Sequence, residues 1–278
     1  MATVQELLRA GGDLTTGSAR RDTEVLLSHC LGKSRAWLYT WPEQEVSADC
    51  ARQFSALLTQ RRAGLPVAYL TGEREFWSLR LAVNKATLIP RPETETLVAW
   101  ALELDLPDPA SVLDLGTGSG AVALALASER PMWQVTALDV STQALQVARA
   151  NAVNHGLERV SFVQSDWYET VRDQRFNALL ANPPYIDSDD PHLARGDVRF
   201  EPRGALVAPQ GGLADLRHLV EGAPMQLHAG GWLLLEHGFE QADAVRTMLR
   251  DAGFHRVSTR RDVAGQERIT GGCWRHAD

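Results

Sequence analysis

Val112-Leu113-Asp114-Leu115-Gly116-Thr117-Gly118-Ser119-Gly120 runs from an apolar stretch into three glycines spaced two residues apart, and Ala121–Ala127 is apolar again. The change of pattern reads as strand, tight turn, helix. Glycine permits the left-handed turn and lets a ligand approach the backbone closely. The helix N-terminus beyond it favours an anionic group. The spacing is not the G-x-x-x-x-G-K-[ST] of a phosphate-cradling NTPase loop, and no lysine lies near it. A dinucleotide fingerprint would read G-x-G-x-x-G; here residue 121 is Ala, which keeps a hydride-transfer enzyme open on the loop alone.

Downstream the alternation continues. Val135–Leu138 reads as a strand ended by Asp139, Thr142–His155 as a helix closed by Gly156, and Val160–Val163 as a strand followed by Asp166-Trp167. Ala178–Leu180, Trp232–Leu235 and two further strand-like segments alternate with helices near 213–227 and 241–252. Strands alternating with helices predict an α/β, doubly wound parallel sheet with ligands at the carboxyl ends of the strands. Asp139, 19 residues after Gly120, stands where an acid accepts ribose hydroxyls. Asp166-Trp167 pairs a carboxylate for an exocyclic amine with a ring for stacking.

Upstream, residues 1–65 read as helical. Val4, Leu7 and Leu8 have i, i+3, i+4 spacing, Asp22–Leu31 ends at Gly32, and Ser47 caps a helix ending near Gly64. Glu75–Ile89 changes period and predicts a β-hairpin with Asn84-Lys85 between its strands. Ile89-Pro90-Arg91-Pro92-Glu93-Thr94-Glu95 follows as a stiff extended segment, for which a plain linker is the competing reading.

Asn182-Pro183-Pro184-Tyr185 closes the apolar run Phe176–Ala181. The Asn182 side-chain carbonyl and the Pro183 backbone carbonyl can each accept one N–H of a planar –NH2 group, and Tyr185 offers a flat face. Such a receptor beside a nucleoside loop points to methyl transfer onto nitrogen, and no hydride transfer requires it.

The chain has 278 residues, 44% of them apolar, and a net charge of −7. Residues 1–92 carry +3 and the remainder −10, a poor balance for non-specific nucleic-acid binding, which rests on phosphate neutralisation. No apolar run is long enough to span a bilayer, and no signal-peptide core is present. Cys30, Cys50 and Cys273 suggest neither a disulfide framework nor a metal site; they read as small buried hydrophobes in a reducing cytoplasm.

Together, the glycine loop, Asp139, Asp166-Trp167 and Asn182–Tyr185 resemble a class I S-adenosyl-L-methionine (SAM)-dependent amino-methyltransferase. Ile89–Glu95 and Arg199-Phe200-Glu201-Pro202-Arg203-Gly204-Ala205-Leu206 narrow the resemblance to the PrmC (HemK) family of protein-(glutamine-N5) methyltransferases. Adenine-N6 nucleic-acid methyltransferases share Asn-Pro-Pro-Tyr and are the alternative.

The resemblance implies a Rossmann-like doubly wound sheet with a small N-terminal helical domain joined by a β-hairpin. The expected divisions are 1–72 for substrate recognition, 73–92 as hairpin linker and 93–278 as the methyltransferase domain. SAM is the implied cofactor, leaving as S-adenosyl-L-homocysteine, with Gly116, Thr117, Gly118, Ser119, Gly120, Asp139, Asp166, Trp167 and Asn182 around it. Asn182, Pro183 and Tyr185 are the implied catalytic residues, and with Pro184 they form the substrate site. The implied substrate is the Gly-Gly-Gln loop of class I peptide chain release factors, methylated by a cytoplasmic monomer with no metal, nucleic acid or membrane partner.

Overall fold

The computed structural model describes residues 2–275; residues 1 and 276–278, which the expected domains include, lie outside the described residues. The chain divides into two compact units, one of residues 1–73 with 191–200, the other of 74–190 with 201–278.

The smaller unit is helical. Val4–Arg9, Ala19–Leu31, Arg35–Thr40, Ala48–Arg62 and Val67–Thr71 bury Val4, Leu26, Leu27, Leu38, Phe54 and Leu58 among themselves. Local signals set several boundaries. Thr3 and Glu6 form a capping box, Ser47 accepts from the Cys50 N–H, and Gly32 ends its helix in the left-handed conformation. Arg35–Thr40 and Val67–Thr71 were not expected, because each buries a single side chain, Leu38 and Ala68, and so carries no apolar stripe. Residues 191–200 belong to this unit, with 3₁₀ turns at Pro191–Ala194 and Val198–Phe200. Buried Arg61 holds Asp22 at 2.8 Å and Asp197 at 2.6 Å. Cys30 and Cys50 are only half-buried, unlike Cys273; burial still pushes the Cys30 thiol up to about 11.

At the start of the larger unit is a hairpin of β1 (Glu73–Phe76), all but Glu73 within that unit, and β2 (Leu79–Ala82). Its turn is Trp77-Ser78, both at positive φ (50° and 63°), and not the expected Asn84-Lys85. A type I′ hairpin turn needs left-handed residues at both central positions, and here Trp and Ser adopt them without the usual Asn-Gly marker. Asn84 instead makes a local turn, its side chain accepting from the Ala86 N–H at 2.8 Å.

The main sheet contains β3 (Ser111–Leu115), β4 (Gln134–Asp139), β5 (Ser161–Gln164), β6 (Phe176–Ala181), β7 (Leu227–Glu236), β8 (Phe254–Arg261) and β9 (Glu267–Trp274), in the order β5-β4-β3-β6-β7-β9-β8. The first five strands are parallel, whereas β9 runs antiparallel to β7 and β8 antiparallel to β9. The tight connection through Asp262 and Gly265 explains the reversal, since a parallel return needs a long crossover.

Strand residues alternate between two cores. Val112, Ala178, Leu180 and Leu234 pack under the helices Glu95–Glu103 and Ala121–Glu129. Leu113, Leu115, Leu179 and Leu233 pack under Ala214–Gln226 and Ala242–Asp251 on the other face. Near-continuous apolar strands follow from burial on both faces. Strand order reverses between β3 and β6, so their carboxyl ends flank the crevice where such sheets bind ligands.

Candidate active site

The β3 loop is held from several sides. Gly116, Gly118 and Gly120 all have positive φ. The Gly116 and Thr117 N–H groups both donate to the Leu138 carbonyl, at 2.9 and 2.8 Å. Thr117 turns inward and donates to Asp114 Oδ2 at 2.6 Å, and the Ala123 N–H donates to the same oxygen. Burial pushes the Asp114 carboxyl up to about 7 against these two donors. Ser119 is also buried, its carbonyl accepting from Asn151 Nδ2 at 2.9 Å. Asn151 further bonds both backbone groups of Ala82, joining hairpin to loop. A Cβ at Gly120 would come within 3.1 Å of Leu124 and 3.2 Å of Ala148.

A cavity of about 520 Å³ opens at the carboxyl ends of β3, β4, β5 and β6. Gly116, Gly118, Asp139, Asp166, Trp167 and Asn182 reach its wall. Thr117, Ser119 and Gly120 do not; they brace the loop from within. A Cβ at Gly118 would meet nothing within 4 Å, so its backbone faces open space. Asp139 accepts from the Gly118 N–H at 2.9 Å and from the Ser141 N–H at 2.8 Å. Burial raises its carboxyl above the usual range, against those two donors. Ser141, not Asp139, caps the helix Thr142–Asn154. The Trp167 backbone has φ 43°, and a Cβ at Gly116 would lie 3.6 Å from the Trp167 ring. Burial raises the carboxyl of nearby Asp215, with His218 opposing and Asp166 adding to the rise. Asp215 and Lys85 also reach the wall. Neither carried a sequence signal: Asp215 opens a helix far along the chain, and Lys85 lies in what read as a turn.

Asn182 follows β6 directly. Its Nδ2 donates to Thr94 Oγ1 at 3.2 Å, which leaves Oδ1 for a ligand. Thr94 ends the 3₁₀ turn Pro92–Thr94, so the proline-flanked segment is part of the site and not a plain linker. Glu201 fixes that segment: its Oε2 accepts from the Ile89 N–H at 3.0 Å and its Oε1 pairs with Arg91. The two stretches that narrowed the resemblance are therefore in contact.

Pro184 lines the cavity, whereas Pro183 is buried and Tyr185 is not in the wall. Tyr185 packs into the second core and its hydroxyl donates to Glu236 Oε1 at 3.3 Å. Its carbonyl accepts from Gln241 Nε2 at 3.0 Å, which draws the residue away from the opening. Burial raises the Tyr185 hydroxyl far above its ordinary range.

A nucleoside fits these residues: a charged acceptor at a strand end, a bare glycine backbone, an indole, and apolar walls such as Leu88 and Leu138.

Residues 2–72 match the PrmC N-terminal domain family and residues 96–201 the methyltransferase small domain family. A release factor glutamine methyltransferase from Vibrio cholerae serotype O1 is 48% identical over 275 residues, 99% of this chain and 95% of its own. The protein of the same name from Pseudomonas aeruginosa is 50% identical over 274 residues, 99% of each chain. A methyltransferase structure from Pyrococcus furiosus superposes with a TM-score of 0.54 at 18% identity, covering 80% of this chain and 98% of that one. The last comparison speaks to the fold alone.

Proposed function

The chain belongs to the release factor glutamine methyltransferase family, and from that premise we propose how its own residues methylate the glutamine side-chain amide of a release factor. SAM is the methyl donor and supplies an electrophilic sulfonium methyl. Asp139 is positioned to accept the ribose hydroxyls. Asp166 and Trp167 take the adenine. Gly116 and Gly118 present backbone without side-chain obstruction.

A carboxamide nitrogen is a weak nucleophile because its lone pair is delocalised into the carbonyl. Asn182 Oδ1 and the Pro183 carbonyl each accept one N–H of the glutamine –NH2, aligning the nitrogen for in-line attack. As the N–C bond forms and the S–C bond breaks, positive charge grows on nitrogen beside two preorganised carbonyl dipoles. The N-protonated amide is strongly acidic and releases its proton to solvent without a dedicated base. Tyr185 steadies this turn from behind the wall.

One observation supports this reading above the others: Thr94 occupies the donor end of the Asn182 amide, leaving the acceptor end for substrate. The recognised element is the Gly-Gly-Gln loop of class I release factors. The chain acts as a cytoplasmic monomer that takes protein and not nucleic acid, in keeping with −10 on residues 93–278. Among the described residues no helix is long and apolar enough to cross a membrane. Incubation with methyl-labelled SAM and either a release factor or duplex DNA tests the proposal. Label in the release-factor glutamine is expected; label in DNA alone would reverse it.

A further inference from the structure

Residues 85–88 form part of the cavity wall, and Pro202, Gly204 and Ala205 form another part. Neither stretch belongs to the sheet: 85–88 lie outside every helix and strand, and Arg203–Ala205 make a single 3₁₀ turn. Such a wall has no ladder of backbone bonds to hold it. It keeps its place only where other groups take its donors and acceptors.

The Ala86 and Thr87 N–H groups both donate to Asn84, which shapes the turn without placing it. Its ends are placed from outside. Upstream, Asn151 bonds both backbone groups of Ala82. Downstream, the Ile89 N–H donates to Glu201 Oε2 at 3.0 Å, and Arg91 pairs with Oε1. Pro90 and Pro92 have no N–H, so Ile89 and Arg91 hold the only backbone donors of residues 89–92. Glu201 leads directly into Pro202, and that stretch is tied in turn to Ile186, just beyond Asn182–Tyr185. The Ile186 N–H donates to the Leu206 carbonyl at 2.9 Å, and the Ala208 N–H donates to the Ile186 carbonyl at 3.0 Å. The Glu201 side chain is fully buried, whereas that of Arg91 is 30% exposed. An apolar residue would fill the place without the cost of burying a charge. What the carboxylate adds is a directed link to two partners.

We propose that Glu201 is a positioning residue for the cofactor: it ties the 85–88 wall to the 202–205 wall, so that SAM meets a cavity already formed. The inference rests on the reading of this cavity as the SAM site. A wall that has to be ordered on binding lowers apparent affinity in proportion to the fraction of molecules not yet ordered.

Glu201→Ala removes the ion pair and leaves the Ile89 N–H without its acceptor. Calorimetry should show SAM binding weakened by about tenfold. Glu201→Gln keeps an oxygen for the Ile89 N–H and loses only the ion pair. It should lie between, at about threefold, and it carries the test if the Ala variant does not fold. Amide hydrogen exchange supplies a readout that a merely structural role would not move. Without SAM, exchange at Ile89 should quicken in Glu201→Ala while the β3 amides keep the parent's rates, and saturating SAM should slow Ile89 again.

Parent-like SAM affinity in the folded variants, or exchange that quickens equally in β3 and at Ile89, would overturn the inference. Asp139→Ala separates it from its premise. Unchanged SAM affinity there would remove this cavity as the cofactor site, and the inference with it. Weakened binding there beside parent-like binding in the Glu201 variants would overturn the inference alone.

Discussion

At the residue scale, Asp139 joins the loop and the cavity. Its two oxygens accept from Gly118 and Ser141, which sets the carboxylate plane. Asp139→Ala should weaken SAM binding by about 1.5–3 kcal/mol, the worth of hydrogen bonds to a charged acceptor; calorimetry giving unchanged affinity would remove Asp139 from the site. Residues of this kind were legible because their signals are local: a glycine spacing, an acid ending a strand, four consecutive residues after another strand. Thr94 and Glu236 were not legible as partners of Asn182 and Tyr185. They lie tens of residues away in sequence, and only the sheet order brings them together. The side chains of Thr117 and Ser119 were equally undecidable, since a loop residue facing a ligand and one bracing the loop read alike.

At the scale of elements, close packing makes two changes diagnostic. Gly212 has φ 79°, and a Cβ there would lie 2.1 Å from the Tyr185 carbonyl oxygen. Gly212→Ala must displace the backbone of the Asn182–Tyr185 turn and should cost about 1–3 kcal/mol, seen as a lower denaturation midpoint; a midpoint equal to the parent's would show that the turn yields freely. The end of β7 should give a pH signature. Burial pushes the Glu236 carboxyl up to about 7, against Thr94, Arg268 and Tyr185, with Glu93 adding to the rise. Between its ordinary value of 4.5 and about 7, the folded state holds a proton that the unfolded chain has released. That group therefore makes stability fall as pH rises through this window. Glu236→Gln should flatten that part of the denaturation profile, and an unchanged slope would mean that Glu236 titrates normally. Neighbouring His237 works the other way, its imidazole lowered to about 4 by burial, so its contribution is lost as pH falls from about 6.5. The element boundaries were mostly readable from caps and period. The hairpin turn was not, because Trp77-Ser78 contradicts the composition such turns usually have.

At the scale of the whole molecule, the five parallel strands were foreseeable from alternating strand and helix patterns. The antiparallel β9 and β8 were not, because a strand pair joined by a short turn at the chain's end has no signal for which neighbour it joins. The membership of 191–200 in the helical unit was hidden for a similar reason: nothing near Asp197 announces Arg61. Arg61→Ala would strand Asp22 without its buried partner, and a loss of about 3 kcal/mol in the stability of the helical unit is expected; urea denaturation matching the parent would show the pair to be inessential. The central proposal is that Asn182 presents its carbonyl to a glutamine –NH2 during methyl transfer. Single-turnover methylation of a release factor, with both substrates saturating and the Gly-Gly-Gln peptide followed by mass spectrometry, tests it most directly. The parent enzyme should add one methyl group to the glutamine amide, and Asn182→Ala should do so roughly 10²–10³-fold more slowly. Near-normal turnover by Asn182→Ala, or an unmodified glutamine with the parent enzyme, would contradict the account.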